Sequence, residues 1–362
     1  MKSLSRIVWT EGMHLGPHHF QAQNRYFEDS IQFATSALWF ATYGLVGCEL
    51  SAEALRNGSV SVSHARGIFP DGLVFEMPEC DPLPQARQIA ELFPPTRDHL
   101  TVLLAVARHK PDGVNCTVSD EAEPDGLRYI GETRPMHDET TGRDERPVRL
   151  GRKNIRLMLD TEATDDLVTL PIARIMRSGS GYFIFDPEFI PPCLRIPASE
   201  RLMSLLGRLM EILEEKGASL ALPKQVGGVK AAFSTREIAN FWFLHTVNAS
   251  FAPLRHLYLS KRGHPEELYL EMLRLAGALC TFALDSHPRS LPPYDHDHLD
   301  VCFAGLDRHI RNHLELIIPT RRSGAKYCPS AVLASSARTQ SKTNASLPSL
   351  MDISFTTTWC RL

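Results

Sequence analysis

The chain has 362 residues, 43% hydrophobic and 22% charged, the make-up of an ordinary globular protein with room for two or three cored domains. Its 39 Lys and Arg stand against 42 Asp and Glu, a formal net charge of -3, so no basic field is present to hold a phosphate backbone and nucleic acid is not expected as the main partner. Cys48, Cys80, Cys116, Cys193, Cys280, Cys302, Cys328 and Cys360 are scattered without a Cys-x-x-Cys pair, and no apolar run follows Met1–Arg6; reduced thiols, no export signal and a cytoplasmic location are expected. The most apolar window, Phe33 to Val46, falls short of the roughly 20 residues that cross a bilayer. It reads as a buried helix end followed by a strand, without direct membrane insertion.

The stretch from Trp9 to Asp29 begins as a loop, because Gly12, Gly16 and Pro17 break any periodicity and the residue before a proline is pushed to extended backbone. Pro17 suits a helix's first turn, and Phe20, Gln23, Asn24 and Phe27 then recur at helical spacing. Aromatics, glycines and histidines this dense in a loop indicate either docking or chemistry. Short strand-like runs follow at Tyr43–Leu50, Val60–Phe69, Leu73–Met77, Thr101–Arg108, Leu127–Thr133, Asn154–Leu159, Val168–Met176 and Tyr182–Phe185. Turn signals such as Asn57-Gly58 and Pro70-Asp71-Gly72 lie between them, which predicts an antiparallel β-sandwich or barrel. Two stretches depart from this. Glu79–Arg97 is proline-rich around a short helical piece, and the charged Arg134–Arg149 reads as a long, exposed, mobile loop.

Pro187, Pro191, Pro192 and Pro197 make residues 186–197 a stiff connector. The period then changes to 3.6. Ser199 can cap a helix with Leu202, Leu205, Leu206, Leu209, Ile212 and Leu213 on one stripe, ending at Gly217. Ser234 and Glu237 have capping-box spacing before a second helix, which Pro253 is expected to bend or end; Pro265 opens a third, and a fourth runs from about Asp297 to Ile317. The prediction is an α+β protein: a β-sandwich over 1–185 with the opening loop and helix, a connector over 186–197, a four-helix bundle over 198–319, and a poorly ordered tail over 320–362. In the second helix Phe241, Trp242, Phe243 and Leu244 cover more than one face, an excess of apolar surface that suggests burial against another subunit.

Two clusters could carry chemistry. His14, His18 and His19 could ligate a metal, though Pro17 interrupts their spacing; as hydrogen-bonding side chains they would shape a docking loop. Asp295, His296, Asp297 and His298 could do the same, but neighbours at a helix start point apart, and an aspartate there serves as an N-cap. A metal-dependent enzyme is therefore the rival reading. There is no nucleophile elbow, Gly227-Gly228-Val229-Lys230 lacks phosphate-loop spacing, and no cofactor or catalytic residue is expected.

The order Trp9-x-Glu11-Gly12-Met13-x-Leu15-x-Pro17-x-His19-Phe20-Gln21-x-Gln23-x-Arg25-Tyr26-Phe27-Glu28 resembles the opening of the TssK family, trimeric baseplate proteins of bacterial type VI secretion systems. Leu170-Pro171-Ile172-Ala173-Arg174-Ile175, Ile190-Pro191-Pro192-Cys193-Leu194, His264-Pro265-Glu266-Glu267-Leu268-Tyr269 and Leu291–Asp297 are similar to later parts of that family, so the resemblance covers roughly 7 to 319. It implies a β-rich shoulder like that of phage receptor-binding proteins, a helical neck, a homotrimer and a structural role at the inner membrane's cytoplasmic side. It also implies that Trp9, Glu11, Gly12, Leu15, Pro17, His19, Phe20 and Gln21 dock on the TssF and TssG wedge, with trimer contacts at Phe241–Leu244. The family's head, which docks on the cytoplasmic domains of TssL and TssM, is not resembled by residues 320–362.

Overall fold

The computed structural model describes residues 4–94, 96–117, 126–179, 181–221, 235–283 and 285–316. Pro17 opens α1 (Pro17–Leu38) as expected, with Gly16 in extended backbone as its N-cap. The helix continues into the apolar window, but it buries no residue, and Leu38, Trp39 and Phe40 are all exposed. The expected buried helix end is thus corrected: it lies at the surface, where only the Phe40 ring meets that of Tyr294, edge-on at 6.1 Å, among the ring contacts of the described residues.

The strands follow: β1 (Gly44–Leu50), the short helix α2 (Ala52–Arg56), β2 (Ser59–Val60), β3 (Val62–Ile68), β4 (Val74–Met77), β5 (Arg87–Gln88), β6 (His99–Ala107), β7 (Tyr129–Met136), β8 (Arg146–Lys153), β9 (Arg156–Leu159), β10 (Leu167–Arg177) and β11 (Phe183–Phe185). They form antiparallel sheets of order β1-β3-β4 and β11-β10-β6-β9, a small β2-β5 pair and a separate β7-β8 ribbon. Pro70-Asp71-Gly72 turns β3 into β4, where Gly72 has φ +91° and its N–H donates to Phe69 O. The alternation at Ser59–Ser63 holds, with Val60 and Val62 buried and Ser63 exposed. Apolar residues of the two larger sheets, among them Leu45, Phe75, Leu100, Val102, Leu104 and Leu170, share one core.

Two expectations fail here. In Glu79–Arg97 no helix forms: turns carry the chain to β5, which pairs with β2. Arg134–Arg149 is exposed as expected but is a loop only over 137–145, since β7 and β8 pair continuously from Tyr129↔Lys153 to Met136↔Arg146. Pro135 lies opposite Pro147, and a proline lacking its N–H fits an antiparallel ladder only where its nitrogen faces outward. The ribbon therefore keeps its ladder while both edges lose a donor at the same level.

The helical half comprises α3 (Glu200–Ala221), α4 (Thr235–Ser260), α5 (Pro265–Leu279) and α6 (Leu299–Leu316), each packed on the next. Ser199 Oγ accepts from Leu202 N–H at 3.4 Å, the expected cap. Gly217 does not end α3; it faces Val247 and Asn248 of α4, and the helix continues to Ala221. Pro253 sits inside α4, which continues to Ser260 because Leu254 and Leu257 are held in the core on its far side. Ser234, Ile317 and the tail 320–362 lie outside the described residues.

The proline-rich connector is packed, not free. Ile190, Pro191, Pro192 and Cys193 are buried. Leu45 N–H donates to Pro192 O at 2.9 Å and Leu194 N–H to Leu45 O at 2.8 Å, a short parallel bridge onto β1. Gly44 makes this possible: its φ is +127°, and a Cβ there would lie 2.7 Å from Pro192 O. Arg174 of β10 adds an ion pair to Asp300 of α6 at 2.8 Å and lies 4.6 Å over the Phe189 ring. Sheets and helices thus share a continuous core.

Candidate docking surface

The loop before α1 is a built turn. Met13 N–H donates to Thr10 O, with Gly12 at φ +77° supplying a backbone that side chains avoid. Gly16 N–H donates to His19 Nδ1 at 3.1 Å while His19 N–H donates to Gly16 O, so the first turn of α1 and the loop close on each other. Trp9 leans on the His19 ring with centroids 6.2 Å apart. His19 is thereby committed to holding the turn. Trp9 and Phe20 remain 49% and 55% exposed, and Glu11, Gly12, Leu15, Pro17 and Gln21 are exposed around them. Large aromatics displayed on a fixed backbone lose little entropy on binding and suit a protein partner.

In α4, Phe241 and Trp242 are 62% and 55% exposed, Leu244 is half-buried, and Phe243 is only 2% exposed. Phe243 packs edge-on against Phe282 at 5.4 Å, so this residue, expected at a subunit contact, belongs to the chain's own core.

The second cluster is dispersed. Asp295 accepts from Asp297 N–H at 3.0 Å and pairs with His298 Nδ1 at 2.9 Å; that hydrogen bond holds its carboxyl below the usual range. Neither aspartate caps α6, which begins at Leu299. Asp297 instead accepts from the Tyr43 hydroxyl at 2.7 Å, and His296, buried, lies between Tyr294 OH (2.8 Å from Nδ1) and Tyr43 O (2.9 Å from Nε2). The carbonyl can only accept, so Nε2 carries a proton. His264 stacks on it at 5.3 Å, its Nδ1 accepting from Glu266 N–H as the cap of α5. Burial and then repulsion from His296 push His264 down to about 4, and burial lowers His296 as well. These groups join strand to helix, and they offer no shared ligand position. Among the described residues no group of three His, Cys, Asp or Glu side chains converges to hold a metal ion, and His14, His18 and His19 are not brought together as one.

A cleft of about 540 Å³ lies beneath α1, with Ile31, Gln32, Thr35 and Trp39 on one side and His264 and Glu267 on another. The exposed apolar run Ile31, Phe33, Leu38, Trp39 and Phe40 was not among the residues expected to dock. Its only signal in the sequence is apolar character without a partner stripe elsewhere.

The family described as bacterial type VI secretion, EvfL, ImpJ and VasE, matches residues 19–326. The chain belongs to this family. Type VI secretion system baseplate component TssK1 of Pseudomonas aeruginosa PAO1 is 31% identical over 323 residues, 88% of this chain and 70% of the relative. A crystal structure of TssK superposes with a TM-score of 0.76 at 27% identity, covering 86% of this chain and 72% of that one. A chain of the type VI secretion TssK-TssF-TssG baseplate subcomplex, solved by cryo-electron microscopy, superposes with a TM-score of 0.75 at 25% identity, covering 86% of this chain and 99% of that chain. The mixed α+β fold, with its antiparallel sheets and helical half, is the fold of these TssK structures. Among the described residues no helix is long and apolar enough to cross a membrane.

Proposed function

We propose that the chain is a structural, non-catalytic subunit of a type VI secretion baseplate. It assembles as a homotrimer and grips a TssF/TssG wedge through the turn from Trp9 to Gln21. Residues 1–185 act as the wedge-binding shoulder and 198–319 as a neck, with Phe241 and Trp242 facing a neighbouring subunit; Phe243 is left out because it is buried at home. The complex is cytoplasmic and reaches the inner membrane only through partners, docking on TssL and TssM being the task of the family's head.

The single observation that carries wedge docking is the Trp9 and Phe20 pair, large aromatics left half exposed on a hydrogen-bonded turn. The relative solved with TssF and TssG, nearly all of whose chain is matched, supports the choice of partner. Trp9→Ala with Phe20→Ala is expected to abolish co-purification with the cognate TssF and TssG while circular dichroism stays unchanged. Truncating a buried aromatic anchor costs about 2 kcal/mol or more, so the pair should lower affinity by at least about a hundredfold. Unimpaired co-purification would overturn the assignment.

A further inference from the structure

The sulfur of Cys280 has surroundings that the other described cysteines lack. Cys48 and Cys193 are enclosed, and burial pushes both thiols up to about 12. Cys302 faces the carbonyls of Asp295 and Leu299, Cys116 that of Thr117, and Cys80 the Glu76 carboxylate, all acceptors that hold a thiol's proton in place. Cys280 also donates to a carbonyl, that of Ala276 at 3.3 Å, but two further groups meet it. Ser286 Oγ–H donates to the sulfur at 3.1 Å, and His309 Nε2 lies 3.6 Å away. Among the described residues no other cysteine sulfur has both a hydroxyl donor and an imidazole beside it.

Helix packing makes this arrangement. Cys280 is the C-cap of α5 and His309 lies on α6, so sulfur and ring meet across 29 residues of sequence. His313, one turn further on, stacks on His309 with centroids 4.0 Å apart, and its Nδ1–H donates to His309 O at 2.7 Å. His313 is thereby committed to holding the stack. Burial and then repulsion from His313 keep His309 below the usual imidazole range, so at neutral pH its ring is uncharged and can take up a proton.

We infer that Cys280 is an oxidation site for hydrogen peroxide, with His309 as the base that takes its proton and Ser286 as the donor that holds the sulfur's negative charge. With the His309 proton on Nδ1, the thiol proton passes to Nε2 and the thiolate attacks one peroxide oxygen. The O–O bond breaks, and the departing hydroxide takes a proton back from the imidazolium and leaves as water. Sulfur is oxidised to a sulfenic acid while the peroxide is reduced. At 7% exposure Cys280 suits an oxidant scarcely larger than water better than a bulky disulfide. Cys280 also begins the 3-10 turn Cys280–Phe282, and Phe282 is the ring packed edge-on against Phe243 of α4. An oxygen added to the sulfur has to displace that turn or the Ser286 segment, because a closely packed site has no room for it.

The test uses the full-length chain. It is treated with hydrogen peroxide for set times, the peroxide is removed with catalase, and the chain is unfolded in urea with dimedone and iodoacetamide, so that access of the trap to the folded protein plays no part. Peptide mass spectrometry then reads the sulfenic acid at each of the 8 cysteines. Expected are oxidation of Cys280 at least about tenfold faster than of buried Cys193 and Cys302, and a fall of at least about tenfold in that rate for His309→Asn. Cys193 reports on folding: a variant that merely loosens the fold speeds Cys193, whereas loss of the base slows Cys280 alone. Ser286→Ala, a change in a partly exposed segment, is expected to slow Cys280 severalfold, and it serves where His309→Asn folds poorly. A Cys280 oxidised no faster than Cys193, or a Cys280 rate that neither variant lowers while Cys193 stays protected, overturns the inference.

Discussion

Helices α1 and α3 are each 22 residues long and each carries an apolar stripe, but their fates differ. α3 buries Leu202, Leu205, Leu206, Leu209 and Leu213 against its own chain, whereas α1 buries nothing. Amphipathic spacing states that a face will be covered and is silent on whether the cover comes from the same chain. The distinction shows in residue choice: the buried stripe of α3 is all leucine, while the exposed face of α1 mixes Phe20, Asn24, Phe27, Ile31, Ala34 and Leu38.

The strongest way to break this comparison is to truncate the same kind of side chain in both helices. Leu209→Ala is expected to lower unfolding free energy by about 2 to 5 kcal/mol, because the site is closed on all sides and leaves a cavity. Phe27→Ala in dilute, dissociated protein should change it by less than about 0.5 kcal/mol, since half of that ring is already in water. Urea titration of both variants checks this, and equal losses would mean that α1 has a cover within the chain.

Acid should act next, at the seam between sheets and helices. His264 takes up its proton in the folded chain only near pH 4, against 6.5 for a free imidazole. Between those values the unfolded chain binds more protons, so stability is level above about pH 6.5 and falls as the pH drops toward 4. His296, also lowered by burial, acts in the same direction. His264→Asn, which can still cap α5, is expected to flatten the fall in Tm across that window, and an unchanged slope would place the acid-labile group elsewhere.

Most of the helices were legible because their signals are periodic and local: Pro17, Ser199 and Pro265 open helices where the sequence puts them, and the leucine stripes of the helical half are buried. What was not legible depends on distant contacts. Gly217, expected to end its helix, and Pro253, expected to bend or end its own, are carried by packing across α3 and α4. β8 was hidden because arginines and a proline mask a short alternation that becomes a strand only once β7 lies beside it. Phe243 and Trp242 are adjacent and chemically alike, and only the position of Phe282 sends one inward. The Tyr43 to His296 bond joins residues 253 apart, which no local pattern can announce.

The smallest effects sharpen the comparison at the helix starts. Ser199→Ala removes the oxygen that accepts from Leu202 N–H, and with α3 fixed in the core the whole loss, about 1 kcal/mol, should appear in global unfolding. α1 begins instead at Gly16, whose backbone at φ -122° and ψ 165° suits an ordinary side chain and whose Cβ would meet nothing nearer than 3.9 Å. Gly16→Ser supplies a capping oxygen and is expected to gain a few tenths of a kcal/mol, but only within the helix. A helix that buries nothing in its own chain opens locally, so the gain should slow amide exchange along α1 while leaving the urea midpoint where it was. If the midpoint rises with the exchange protection, α1 unfolds together with the core, and the contrast with α3 fails.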